Sequence, residues 1–415
     1  MASFQPHIHP AFPVSHPASQ PWSGGLLHGL GHLGFLFLLS LFVAVPAGLA
    51  GAFFRLSVLW ANQLREAFPG LIYFLPAGGV LIALLYRFAR ISHRGELDVI
   101  VNAVRSREPN VSPWLAPLIY AASVLSHIFG ASVGCEGASL ILGGGLGAQF
   151  ARWFRLEGRD FGMIVFCAMT SAFTPLLGTP LTAAVFVLER TRTHRLRLFV
   201  PCLAASLVAY GVTTWLGLEP FRFELEGIPA FSIEMTGRVV LLAGFCFAAG
   251  TFFRRMMNDV STLCDRFVPN RFFAMGLGGA GILALVQLCG TTDYCGAGLN
   301  GILAAFGGSA GSWAFFWKIF FTSLALGIGF KGGQIVPAFF VGTTLGCALA
   351  PMLGLDAAFA AALGLTVLFA TVVSCPVTAL ILALEVFEGA GLGLAWFLLV
   401  VLAVAFPMMI RRERK

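Results

Sequence analysis

A single acid, Glu136, lies between glycines at the head of an apolar run, in Gly134-Cys135-Glu136-Gly137-Ala138. An ionisable side chain in apolar surroundings costs about 2.5 kcal/mol or more on membrane-insertion scales, so its presence points to function. The flanking glycines carry no Cβ and let a ligand or a second backbone come close. The run after Glu136 reads as a helix. A helix start offers unpaired N–H groups and the positive end of the macrodipole. A carboxylate can fill that place, and an anion can fill it instead. Exchange between the two gives an anion site with its own plug, which opens when Glu136 is protonated or displaced.

A second stretch, Gly333-Gln334-Ile335-Val336-Pro337, has the same design. Pro337 suits the first turn of a helix, where a missing N–H is no loss. The amides of Gln334, Ile335 and Val336 before it are then free to face a ligand. The two stretches belong to an internal repeat. Gly143-Gly144-Gly145-Leu146-Gly147 follows the first, and Gly342-Thr343-Thr344-Leu345-Gly346 follows the second, at a constant offset of 199. Thr179 to Glu189 then matches Cys375 to Glu385 at an offset of 196. Paired halves with Gly- and Pro-broken helices at equivalent places point to an ion site at the middle of a membrane. Dipoles suit such a site better than a full positive charge, because an ion must also leave.

The elements that hold these residues must be membrane helices. The 415 residues are 58% hydrophobic and 11% charged, and the mean hydropathy is +0.87. Apolar stretches at 26–54, 71–87, 236–252, 312–330 and 391–410 are long enough to span a bilayer. Shorter apolar segments broken by Gly or Pro suit tilted or discontinuous helices covered by protein. The fold class is all-α and polytopic, an inverted repeat with halves at about 25–215 and 236–410. Residues 1–24 read as a disordered cytoplasmic tail, 25–410 as one membrane transport domain, and 411–415 as a basic cytoplasmic tail.

The net charge of +7 is a matter of topology and not of nucleic acid. Basic clusters at 87–107, 152–159, 190–197, 254–271 and 411–415 belong inside, as do both termini. The acid-rich segment 217–236 belongs outside. The run ending at Arg190 leads into a basic loop, whereas the run ending at Glu385 meets no base, so the halves have opposite orientation. The nine cysteines read as small buried hydrophobes. Cys289 and Cys295 flank an outward polar loop where a disulfide could form. No spacing suggests a metal site; His7-Ile8-His9 in the tail is a weak metal pattern at most.

These residues resemble the CLC superfamily of chloride channels and proton-coupled anion antiporters, over about 25–410. The family's Gly-Arg/Lys-Glu-Gly-Pro motif appears as Gly134 to Ala138, and its Gly-x-Phe-x-Pro motif as Gly333 to Pro337. Ser126 to Gly134, Gly178 to Thr182 and Gly329 to Gln334 look most like the bacterial fluoride/proton branch. The resemblance implies a homodimer in the bacterial inner membrane with one independent pore per subunit. It implies chloride or fluoride and protons as the transported partners, with Glu136 as gate and no cofactor. The anion would be held around Gly134, Gly137, Gly333, Gln334, Ile335, Val336 and Pro337.

The chain departs from the family pattern in several places. Residues 92–102 lack the family's Gly-Ser-Gly-Ile-Pro loop, and no tyrosine follows Tyr294. The inner proton glutamate of the chloride/proton exchangers falls on Arg190, beside a retained Glu189. Gln334 and Val336 stand where the fluoride branch usually has Glu and Thr, and Cys135 removes a base. Both a proton-coupled exchanger and a passive chloride channel therefore stand as readings, the exchanger first. Among accessory residues, Lys331 would raise the local anion potential, and Lys318 would snorkel or pair. His127 reads as structural or as a ligand or proton group, and Glu189 as structural or proton-carrying. An enzyme would need several convergent polar groups and a nucleophile–base pair. The sequence shows neither, which leaves transport ahead of an enzyme and of a non-conducting sensor.

Overall fold

The computed structural model describes residues 26–413 apart from 94, 108–109, 194–195, 226–227, 389–390 and 392, without the side chains of 26–30, 196 and 409–413. The 1–24 tail, with His7 and His9, and the terminal Arg414 and Lys415 lie outside the described residues. The first half runs α1 (Leu26–Ala67), α2 (Leu75–Ala89), α3 (Glu96–Ser106), α4 (Leu115–Ile128), α5 (Glu136–Trp153), α6 (Gly158–Leu177), α7 (Pro180–Arg190) and α8 (Phe199–Trp215). The second runs α9 (Ile233–Phe267), α10 (Arg271–Cys289), α11 (Leu299–Phe306), α12 (Ala314–Ile328), α13 (Ile335–Leu353), α14 (Ala357–Val373), α15 (Pro376–Val386) and α16 (Leu394–Glu413). Two short strands, β1 (Phe223–Glu224) and β2 (Phe387–Glu388), pair in parallel.

Local chemistry sets the ends of these helices. Pro180 and Pro376 open α7 and α15, where a missing N–H is harmless. Asp356 caps α14 by accepting the Phe359 N–H at 2.9 Å. Gly178 ends α6 in a left-handed turn (φ 73°). Its repeat equivalent Ser374 adopts the same turn (φ 63°) without glycine's freedom, and the Arg254 guanidinium donates to its Oγ at 2.6 Å.

The halves pack alike. In each, the Gly-rich helix lies on the next: α5 on α6, and α13 on α14. Small residues let the backbones touch. A Cβ on Gly143 would stand 2.5 Å from the Ala168 oxygen, and one on Gly342 would strike the Gly364 oxygen. α1 covers α6 and α8 as α9 covers α14 and α16. Between the halves, α2 meets α10, α5 meets α13 and α7 meets α15, each with its own counterpart. Such self-paired contacts are what an internal two-fold generates, and they give the expected inverted repeat.

Among the described residues, six segments are long and apolar enough to cross a membrane. The expected spans 26–54, 71–87 and 236–252 fall in three of them. Those at 312–330 and 391–410 fall on the shorter α12 and α16. α6, α10 and α13 were not among the expected spans. α6 and α13 are mostly covered by protein and are as apolar as the expected α9; Gly and Pro residues divide them into shorter runs in the sequence. Ser171, Thr174 and Thr344 satisfy their hydroxyls on carbonyls of their own helix. In α10 the division comes from glycine, and Gly279 lies against Pro76 of α2. A Cys289–Cys295 disulfide is not formed. All nine cysteines are free, and these two serve as packing groups of the second core cluster.

Candidate anion site

The backbone just before α5 meets the backbone just before α13. The Gly134 N–H donates to the Gly333 oxygen at 2.7 Å, and the Gly333 N–H returns the bond to the Gly134 oxygen at 2.6 Å. This antiparallel bridge joins repeat-equivalent glycines, so both helix starts face one point. The approach requires glycine. A Cβ on Gly333 would lie 2.6 Å from the Gly137 nitrogen and 3.0 Å from Glu136 Oε2. One on Gly134 would strike the Glu136 carboxylate, and one on Gly137 would stand 3.1 Å from the Gly332 oxygen.

Glu136 is fully buried. Its Oε2 accepts the Val336 N–H at 3.5 Å, and the Cys135 thiol donates to Oε1 at 3.6 Å. A 3.5 Å bond is at the weak limit of hydrogen bonding. The carboxylate thus lies across the start of α13. Pro337 has no N–H, and the Ala338 N–H is already bonded to the Gln334 oxygen. The orphan donors left in this first turn are those of Ile335 and Val336. Gln334 enters by its backbone as the residue before the helix, with no side-chain cap bond. Gly134 and Gly333 spend their amides on each other, so their part is close approach and not donation.

The accessory residues take other places. Lys331 Nζ pairs with Glu96 Oε1 at 2.5 Å, bonds the His93 oxygen, and lies 4.4 Å above the Tyr86 ring centre. A neighbouring acid, Glu96, offsets part of its charge. Lys318 neither snorkels nor meets an acid. It is fully buried, and its Nζ donates to the Tyr294 and Gly296 oxygens at 3.0 and 2.7 Å. His127 is fully buried with Nδ1 2.8 Å from the Ser123 oxygen of its own helix. Glu189 lies away from Glu136, at the start of α15. It accepts the Val377 and Thr378 N–H groups at 3.2 and 2.8 Å and the Thr378 hydroxyl at 2.6 Å.

Two contributors were not singled out from the sequence. Glu96 pairs with Lys331 from 235 positions away, beyond any local pattern. Arg55 of α1 bonds the Pro175 and Glu219 oxygens at 2.9 and 2.7 Å and lies within electrostatic reach of Cys135. It returns a positive charge beside the position where the resemblance expects a base. The signal was a lone charge one residue past the apolar stretch 26–54.

A family model described as voltage gated chloride channel matches residues 77–407. The chain is 32% identical, over 83% of its length and 78% of the relative's, to a chloride/fluoride channel protein of Pseudomonas syringae pv. tomato. It is 23% identical to the H(+)/Cl(-) exchange transporter ClcA of Vibrio cholerae, over 90% of this chain and 86% of that one. Among solved structures it is similar to a CLC-type fluoride/proton antiporter, with TM-score 0.85 and 27% identity over 91% of this chain and 95% of that one. A slow cyanobacterial Cl-/H+ antiporter shares the fold at TM-score 0.74 and 20% identity, over 90% and 94% of the two chains.

Proposed function

The chain belongs to the voltage-gated chloride channel (CLC) family, and from that premise we propose that it carries chloride or fluoride across the bacterial inner membrane in exchange for protons, gated by Glu136. The observation that supports this most is the Glu136 carboxylate resting on the Val336 amide. An acid there occupies a place where an anion would be held. When a halide takes the Ile335 and Val336 donors, Glu136 must leave. When Glu136 gains a proton, it loses its hold on the amide and can carry that proton out. One residue then links the two flows. The names of the relatives, a chloride/fluoride channel and a proton/chloride exchanger, agree with such a cargo. We further propose a homodimer of self-sufficient pores, with both termini in the cytoplasm.

One observation favours a passive channel as a second reading. Glu189, the acid nearest the place of the family's inner proton group, spends its carboxylate on the start of α15. The test is purified protein in liposomes under an outward halide gradient, with external pH recorded. Proton uptake that runs against its own gradient during fluoride or chloride efflux is the expected result. Halide efflux with no proton movement would replace the exchanger by the channel, and no halide efflux would end both readings.

A further inference from the structure

A second set of buried polar groups lies beside α13, and Glu136 is not part of it. Lys318 of α12 is wholly buried, and two carbonyls are its hydrogen-bond partners. Arg65, near the end of α1, comes to the same loop: a Cβ on Gly296 would stand 3.2 Å from Arg65 Nη2 and 3.1 Å from Asn62 Oδ1. The oxygen of that same Gly296 is bonded to Lys318. His127 of α4 is within electrostatic reach of both cations. Among the described residues, no ion pair involves Arg65 or Lys318. Arg65 Nε is a buried donor without a hydrogen-bond partner. The nearby acids, Glu66 and Asp293, are exposed to the surroundings.

Two basic side chains beside an imidazole, with an unused Arg65 donor and no buried acid, form an arrangement that is costly unless something negative completes it. We propose that Arg65, Lys318 and His127 hold a second halide, outward of the Glu136 site. The Phe340 ring lies 5.1 Å from Lys318 Nζ. Phe340 follows Val336 by one turn of α13, about 6 Å along its axis. The two places are therefore neighbouring stations on one helix, and an ion at the outer one raises the halide concentration that Glu136 must compete with. This inference rests on the transport reading above.

The probe is bromide, located by its anomalous signal in crystals of the full chain and followed by bromide flux in liposomes. Two peaks are expected, one at Val336 and one bounded by Arg65, Lys318 and Gly296. In Arg65→Gln the outer peak should vanish while the inner one stays, and half-saturation of flux should rise by about tenfold. Arg65→Lys should restore both. Lys318→Met, an apolar match in length, provides a second variant, and Arg65→Gln alters only a half-exposed side chain if Lys318→Met fails to fold. An inner peak alone in the wild-type protein would overturn the outer site and leave the transport reading standing. An outer peak that persists in Arg65→Gln would also overturn it. A protein that binds bromide but passes none would fail the transport reading instead.

Discussion

At the scale of single residues, the site depends on a competition at one amide. Glu136→Gln keeps the size of the plug and removes its charge. We expect halide flux to persist and to lose its pH dependence, whereas wild-type flux rises as pH falls and Glu136 takes up a proton. Stopped-flow efflux between pH 5 and pH 8 would check this, and a pH profile unchanged in the variant would remove Glu136 as gate. Gly333→Ala tests the approach itself. Its methyl would crowd the Gly137 nitrogen, 2.6 Å away. Overpacking of this kind costs about 1–3 kcal/mol, so a lower melting temperature in detergent is expected, together with lost flux. The meeting of Glu136 with the segment ending at Pro337 was legible in the sequence, because the repeat placed two Gly-framed helix starts in register. Which amides stay free was not. That depends on the bridge between Gly134 and Gly333, which exists only when the halves approach antiparallel.

At the scale of elements, α7 and α15 exchange caps. Glu385 accepts the Leu181 and Thr182 N–H groups at 3.0 and 2.6 Å, as Glu189 does for Val377 and Thr378. Each short helix thus has its first turn closed by the last turn of its counterpart, which also favours negative charge at a helix start. The repeated Thr-Ala and terminal Glu were visible at offset 196, and so was the opposite orientation, but the swap was not, since it needs the two helices to lie side by side across about 200 positions. Removing a cap typically costs about 0.5–2 kcal/mol. Glu189→Ala and Glu385→Ala should therefore lower thermal stability to a similar degree, and neither should change the number of protons moved per halide in folded protein. A loss of proton coupling confined to Glu189→Ala would reassign that residue as a proton carrier. The spans tell a related lesson. α6 and α9 are about equally apolar, yet the spanning window of α6 is 94% buried and that of α9 is 33% buried. Apolar length alone therefore does not tell a helix that faces lipid from one enclosed by protein.

At the scale of the whole molecule, the two halves of the chain meet at the central site: Glu136 and Gly134 from the first half, Gly333 and Val336 from the second. The inverted repeat supplies internally what many assemblies obtain from a second subunit. Trp114 and its repeat equivalent Trp313 stand exposed at the starts of α4 and α12, which places one at each membrane face, as aromatic belts require. A site assembled from both halves of one chain gives a clear expectation for the proposed homodimer. Take a tandem of one wild-type and one Glu136→Gln subunit joined by a flexible linker. If the pores act alone, its flux at each pH is the mean of the two parent homodimers: half the flux follows pH and half does not. If the subunits shared a gate, one altered acid would shift the pH dependence of the whole flux. Halide efflux from liposomes holding a single tandem each, measured from pH 5 to pH 8, separates the two. A curve displaced along the pH axis, in place of one halved in amplitude, would mean that the plug responds across the interface and that the carboxylate–halide contest is not settled within one chain.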